Sequence, residues 1–305
     1  MAPYTAQVDI RHLRYFIAIV EAGSLSQAAR RLHIVQPALS QRMADLEKEL
    51  GTQLLVRAAQ GVAATLAGQE LYNRALIIVK QLEAAQSAVR ELDRGVFGTV
   101  HIGLLRTAAR RVAPALFDAL GAEYPAIVAQ VRVGYSADLT ALLKAGKLDI
   151  AMQVRSGQSA RQRGSVLFSE RLCLVGPPGL VPDAASMTVH QLQDIPLLLS
   201  SIQPSYSTLV RVAEDHGVAL SVVGGIEDDG AVLQICESGV AATILPEMSA
   251  ATDIQGRALR MAVLDDPQLQ REVLVSTNPD APSTGAVLAA ENILSRVLKA
   301  VLSTP

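Results

Sequence analysis

Apolar residues recur at helical spacing through the first third of the chain, and the period then changes twice. Leu13, Phe16, Ile17 and Val20 lie on one face of a predicted first helix that stops at Gly23, a residue suited to the left-handed backbone of a helix end. Ala28, Ala29 and Leu32 form the buried stripe of a short second helix, for which Ser26 is the expected N-cap. A third helix opens at Gln36 and Pro37, turning Leu39, Met43, Leu46 and Leu50 inward and Gln36, Ser40, Gln41 and Arg42 outward.

The second period runs from Leu66 to Asp93, where there is no proline and Gly68 falls in the first turn. Leu71, Ala75, Ile78, Leu82, Ala85, Val89 and Leu92 alternate spacings of four and three, the seam of a long helix that pairs with another helix. Thr65 is placed to cap its start, and Gly95 and Gly98 follow its end. The expected partner is the same helix of a second copy.

Beyond Gly98 the pattern changes again, to short apolar strands alternating with helices. Strands are predicted at 99–104, 127–133, 149–153, 171–175, 197–199, 218–226, 240–245 and 272–276. Helices are predicted around 112–120, 139–145, 209–214, 232–237 and 286–302. Such alternation predicts an α/β architecture with mostly parallel sheets, which take ligands at the carboxyl ends of their strands.

Composition narrows the class. A chain of 305 residues is long enough for two or three domains. No apolar run approaches the roughly 18 residues a membrane span requires, and the opening MAPYTAQVDIRHL lacks the basic-then-apolar order of a secretory leader, so a cytoplasmic protein without membrane association is expected. Cys173 and Cys236 fall on a predicted strand and helix, where buried, reduced thiols without a redox role are the expectation. The net charge is −2, yet residues 1–94 carry 11 Lys and Arg against 9 Asp and Glu. Any affinity for nucleic acid therefore comes from local arginines, namely Arg30, Arg31, Arg42 and Arg57, not from a general basic field.

No enzyme chemistry emerges. His12, His33, His101, His190 and His216 are scattered without metal-ligand spacing, there is no P-loop or nucleophile elbow, and no cofactor is expected. Asp228 and Asp229 are adjacent and read as a solvated turn. The outward polar set of the third helix suits double-stranded DNA: Gln offers a bidentate amide to adenine, Arg a fork to guanine or phosphate, and Ser a compact phosphate donor. Periodicity alone equally allows a plain helical bundle with a solvated face.

The whole string decides between these. L-x-x-F at 13–16, G-S-x-x-x-A-A at 23–29, Q-P-A-L-S at 36–40, E-x-x-L-G ending at Gly51, L-x-x-R at 54–57 and T-x-A-G at 65–68 together resemble the winged helix-turn-helix of the LysR-type transcriptional regulators. The detailed run is most similar to the nitrogen assimilation control subgroup. The resemblance implies a DNA-binding domain over 1–65, a linker and dimerisation helix over 66–94, and an effector-binding domain over 95–305 built like a periplasmic binding protein. Its first lobe takes about 97–169 and 272–305, and its second about 170–271. The implied DNA-binding residues are Ser24, Ser26, Gln36, Pro37, Ser40, Gln41, Arg42 and Arg57. The implied effector-binding residues are Leu105, Arg106 and Thr107 in a loop after the first strand, Tyr135 and Ser136 at a helix start, and Ser200, Ser201, Ser205 and Asp228 opposite. The implied partners are a roughly palindromic operator, a small-molecule effector, a second copy in a homodimer or homotetramer, and RNA polymerase. Two departures stand out: Val35 replaces the usual Ser or Thr cap of the recognition helix, and Leu105 replaces a common hydroxyl residue. A small-molecule transport protein fits residues 99–305 alone, but not the helices before them.

Overall fold

A computed structural model describes residues 8–58, 61–156, 165–200 and 204–302. Two compact units emerge, one of Met1–Gly95, Lys144–Lys147 and Asn278–Gly285, the other of Val96–Leu143, Leu148–Thr277 and Ala286–Pro305. The short segments grouped with the first unit depart from a simple division at residue 95.

In the first unit, α1 (Ile10–Ala22), α2 (Leu25–Arg31) and α3 (Gln36–Leu50) are followed by a hairpin of β1 (Leu55–Ala58) and β2 (Gly61–Ala64) and by α4 (Leu66–Arg94). Asp9 caps α1. Its carboxylate accepts the N–H groups of His12 and Arg11, and the bond from His12 foremost holds its pKa below the usual range. Gly23 ends α1 at φ 60°, as expected. The core draws Phe16, Ile19, Ala28, Ala29, Leu39, Met43, Leu46, Leu54 and Tyr72 together.

Three expectations are corrected here. Ser24, not Ser26, caps α2, its Oγ accepting from the Gln27 N–H at 3.4 Å, because the helix begins two residues earlier than the alanine stripe suggests. Ile19 is buried while Ile17 and Val20 are only half-buried, since α1 packs on both α2 and α4 rather than on one neighbour. Leu50 is exposed in the last turn of α3, where Gly51 already reverses the chain.

Thr65 does cap α4, accepting the Gly68 N–H at 3.0 Å, and its hydroxyl donates to Gln53 O. A side chain at position 68 would sit 2.1 Å from the Leu54 carbonyl oxygen, so only glycine lets the helix start against the hairpin. Along the seam Leu71 packs half-buried against the helical core and Ala75 is buried. Ile78, Val89 and Leu92 are 46%, 68% and 86% exposed.

The second unit runs β3 (Gly98–Leu105), α5 (Arg106–Glu123), β4 (Ile127–Gly134), α6 (Ser136–Lys144), β5 (Ile150–Ser156), β6 (Ser165–Gly176), β7 (Ser186–Met187), β8 (Pro196–Leu198), α7 (Pro204–Asp215), β9 (Ser221–Gly224), α8 (Asp229–Glu237), β10 (Thr243–Pro246), α9 (Glu247–Asp253), β11 (Arg260–Leu264), β12 (Gln270–Thr277) and α10 (Gly285–Leu302). Its principal sheet has the order β4-β3-β5-β12-β6-β11-β7, with β10 also paired to β6.

This sheet is mixed, which corrects the expectation of mostly parallel pairing. β3 pairs parallel with β4 and β5, but β12 runs antiparallel to β5 and β6, and β6 runs antiparallel to β10 and β11. The cause is β6, twelve residues long where five were expected. Its first half borders a core drawn from β3 to β5, α5, α6, β12 and α10; its second half contributes Leu172, Cys173, Leu174 and Val175 to separate cores. The strand β11 and helix α9 were not anticipated. Neither has a turn signal and a clear period of its own.

Candidate nucleic-acid interface and effector site

The exposed surface of α3 follows from its inward face. With Leu39, Met43 and Leu46 committed to the core, helical geometry turns Gln36, Gln41 and Arg42 outward and leaves Ser40 half-buried; Pro37 in the first turn is exposed as well. Gln41 Nε2 donates to Asp45 Oδ1 at 2.9 Å, one turn along, so part of its hydrogen-bonding capacity is already used. Val35 stands at the N-cap, 69% exposed and without a side-chain hydrogen bond, as its chemistry requires. Arg30, Arg31, Arg42 and Arg57 are exposed, and none forms an ion pair among the described residues. An exposed guanidinium with no internal partner is suited to phosphate. Ser24 is half-buried with its hydroxyl at the cap, and Ser26 is exposed.

Two supporting residues escaped the sequence reading. Glu47 Oε1 accepts the N–H groups of Leu54 and Leu55 at 2.7 and 3.0 Å, fixing the end of the recognition helix to the first strand of the wing. Tyr72, buried on α4, donates its hydroxyl to Glu21 on α1 at 3.1 Å; burial, with the Glu21 charge beside it, pushes the phenol pKa well up. Glu47 lies in the E-x-x-L-G string, yet its bond crosses the turn and leaves no local signature.

In the second unit, Arg106 and Thr107 open α5 instead of forming a loop, and Leu105 before them is buried in the core. The Arg106 guanidinium lies 5.2 Å from the centre of the Tyr135 ring and donates to the Glu227 carbonyl at 2.5 Å. Ser136 is buried. Its hydroxyl accepts the Val154 N–H at 2.9 Å and its carbonyl accepts from Thr140, which in turn accepts from Gln153, itself bonded to Ser276. That chain of polar groups pins the start of α6 to β5 and so holds Tyr135 in place. Asp228 caps α8 through the Ala231 N–H at 2.8 Å, and Ser200 is buried. Ser201 and the side chain of Ser205 lie outside the described residues.

Thr107 touches an ion pair invisible to local reading. Glu170 on β6 and Arg271 on β12 face each other in register and are only 5% and 8% exposed. Arg271 Nε donates to Glu170 Oε1 at 2.8 Å, and its NH2 group donates to Thr107 Oγ1 at 3.2 Å. Glu170 Oε2 is buried and has no hydrogen-bond partner among the described residues.

Both cysteines are free and buried, as expected. Burial raises the Cys173 thiol pKa to about 12 and the Cys236 thiol pKa to about 11, which keeps both protonated at neutral pH.

A wing-bearing trio of helices, a long linker helix and an α/β unit crossed by antiparallel strands define a ligand-responsive DNA-binding protein. Residues 10–69 match the bacterial regulatory helix-turn-helix protein of the lysR family, and residues 93–299 match the LysR substrate binding domain. The chain belongs to the LysR family of transcriptional regulators and carries its DNA-binding and effector-binding domains. It is 34% identical to the nitrogen assimilation regulatory protein nac of Escherichia coli (strain K12), over 98% of this chain and 96% of that protein. The corresponding protein of Klebsiella aerogenes is 33% identical with the same coverage. Among solved structures, a full-length OxyR variant from Pseudomonas aeruginosa superposes with a TM-score of 0.75 at 20% identity, covering 96% of this chain and 95% of that one. Full-length CbnR complexed with its target DNA gives a TM-score of 0.64 at 22% identity, covering 95% and 99%. These relatives are transcriptional regulators, not enzymes, and among the described residues no helix is long and apolar enough to cross a membrane.

Proposed function

We propose that this regulator reads a roughly palindromic operator through Gln36 and Arg42, with Ser24, Ser26, Pro37, Ser40, Gln41 and Arg57 positioning the helix and wing on phosphate. The observation that carries this reading is the exposed face of α3, whose polar side chains point away from a core already filled by Leu39, Met43 and Leu46. Two copies pair along Ile78, Leu82, Ala85, Val89 and Leu92, while Leu71 packs on the helical core and Ala75 is buried within the chain, and the assembly is a homodimer or a homotetramer. An effector binds at Leu105, Arg106, Thr107, Tyr135, Ser136, Ser200, Ser201, Ser205 and Asp228, a reading supported by the contacts of Arg106 with the Tyr135 ring and the Glu227 carbonyl, and RNA polymerase receives the output. The protein acts in the cytoplasm and has no enzymatic activity.

Operator binding tests the first part. Replacing Gln36 or Arg42 by Ala is expected to cost about 1–3 kcal/mol on the cognate operator and to relax sequence preference. Affinity falls steeply with salt for wild type and variants alike. A uniform loss on every sequence assigns the residue to phosphate, and no loss removes α3 from the interface.

A further inference from the structure

The start of α3 carries apolar side chains where much of its outer face is polar. Val35, Pro37 and Ala38 are all exposed, and Val35, at 69%, stands clear of the core that Leu39, Met43 and Leu46 fill. It does not serve the helix end either, since it holds the N-cap backbone without a side-chain hydrogen bond, at a position where the family usually has Ser or Thr. A residue that neither packs nor caps is free to meet a partner. Val35, Ala38 and Arg42 are spaced three and four apart, which sets them along one line of the helix surface, and all three are exposed. The first residues of a recognition helix approach base edges when the helix lies in the major groove. Those edges offer donors and acceptors, for which Gln36 and Arg42 are suited, and one apolar feature, the C5-methyl group of thymine. A valine side chain has no hydrogen-bonding atom, so of these it complements the methyl alone. Branching at Cβ also leaves it few rotamers to lose on contact.

We propose that Val35 is a specificity residue, packing its isopropyl group against the C5-methyl of a thymine in each operator half-site. This rests on the reading of α3 as the DNA-contacting helix and adds to it a base that Gln36 and Arg42 do not read. A methyl contact selects thymine over cytosine without a hydrogen bond, because cytosine presents no methyl in the major groove. The residue that removes the cap thereby exchanges a local hydrogen bond for a base contact. Binding by two copies applies the preference twice, once per half-site.

Deoxyuridine tests the contact, because it pairs with adenine as thymidine does and lacks only the C5-methyl. The probe is a duplex that the full-length protein itself selects from a random-sequence library, with each thymidine replaced in turn and affinity measured at fixed salt. At one thymine of each half-site the replacement is expected to weaken wild-type binding about fourfold, the worth of burying a single methyl-sized group. Val35→Ala is expected to bind the thymidine and deoxyuridine duplexes equally at that position. Val35→Thr, which keeps a methyl on Cβ, is expected to retain part of the difference. The readout is the ratio between the two duplexes, so a hydroxyl that adds affinity of its own does not mask it. Thermal melting establishes that each variant is folded. A ratio near one for wild type at every thymine overturns the proposal. A ratio that persists in Val35→Ala assigns the methyl to another residue and overturns it too. Gln36→Ala and Arg42→Ala separate this failure from that of the interface: reduced binding in either keeps α3 on the DNA, whereas unchanged binding in both removes α3 and the thymine contact together.

Discussion

The recognition helix and the crossing strands both carry polar side chains, and they treat them in opposite ways. On α3, Gln36 and Arg42 are exposed and have no protein partner among the described residues; on β6 and β12, Glu170 and Arg271 are buried against each other. The first arrangement costs the folded protein almost nothing, because water satisfies the groups. The second removes two charges from water and recovers that cost only through mutual pairing. A helix face of this kind is open to change with little penalty to stability, whereas each member of the buried cluster is tied to the other.

The largest effect that would break this contrast concerns α4, whose exposed seam residues behave like neither class. They are apolar, yet Leu92 is 86% exposed in the single chain. Changing Ile78 and Leu82 together to Glu places four like charges in a two-chain seam, and is expected to abolish dimers in sedimentation and, with them, binding to a two-half-site operator. Persistent dimers would show that pairing lies elsewhere.

Arg271→Ala comes next. Loss of one partner from a buried pair leaves Glu170 uncompensated and is expected to cost about 3–5 kcal/mol in urea unfolding of the α/β unit. The double change Arg271→Met with Glu170→Leu is expected to recover most of that loss. If the single variant unfolds like wild type, the pair is solvated and the contrast with α3 disappears.

A smaller effect is expected inside the DNA-binding unit. Glu47→Ala orphans the N–H groups of Leu54 and Leu55, costing about 1–3 kcal/mol and loosening the wing. Hydrogen exchange at those two amides is the readout, faster in the variant; unchanged exchange would place the hold on the wing in the hairpin itself.

How far the sequence could be read follows the same division. The α3 face, the Thr65 cap, the Gly23 stop and the unbroken length of α4 were all legible because each depends on residues close together along the chain. The Ser24 cap was missed by two positions, since Ser24 and Ser26 are chemically equal and only the helix start separates them. Glu170, Arg271 and the length of β6 were out of reach. Their pairing joins positions 101 residues apart, and strand register between distant segments leaves no periodic trace in either one. The same distance hid the mixed sheet, because alternation of strands and helices gives their order but not the direction of the strands that cross. Thr107 was named from family resemblance; that its hydroxyl serves Arg271 could only come from the fold.

The finest test returns to the start of α3. Val35 holds an N-cap backbone, at φ −80° and ψ 137°, but provides no acceptor for the orphan N–H groups of the first turn. Position 35 is exposed and meets no requirement of the core, so Val35→Ser adds a cap without removing packing. It is expected to raise stability of the DNA-binding unit by about 1 kcal/mol, seen as a higher melting temperature. Operator affinity separates two contributions of a hydroxyl at this site. A gain in stability with unchanged affinity makes the serine a cap alone, while a gain in both adds a phosphate contact beside Gln36. No change in either would mean that water already satisfies this helix end, and that the exposed polar face of α3 extends to its first turn.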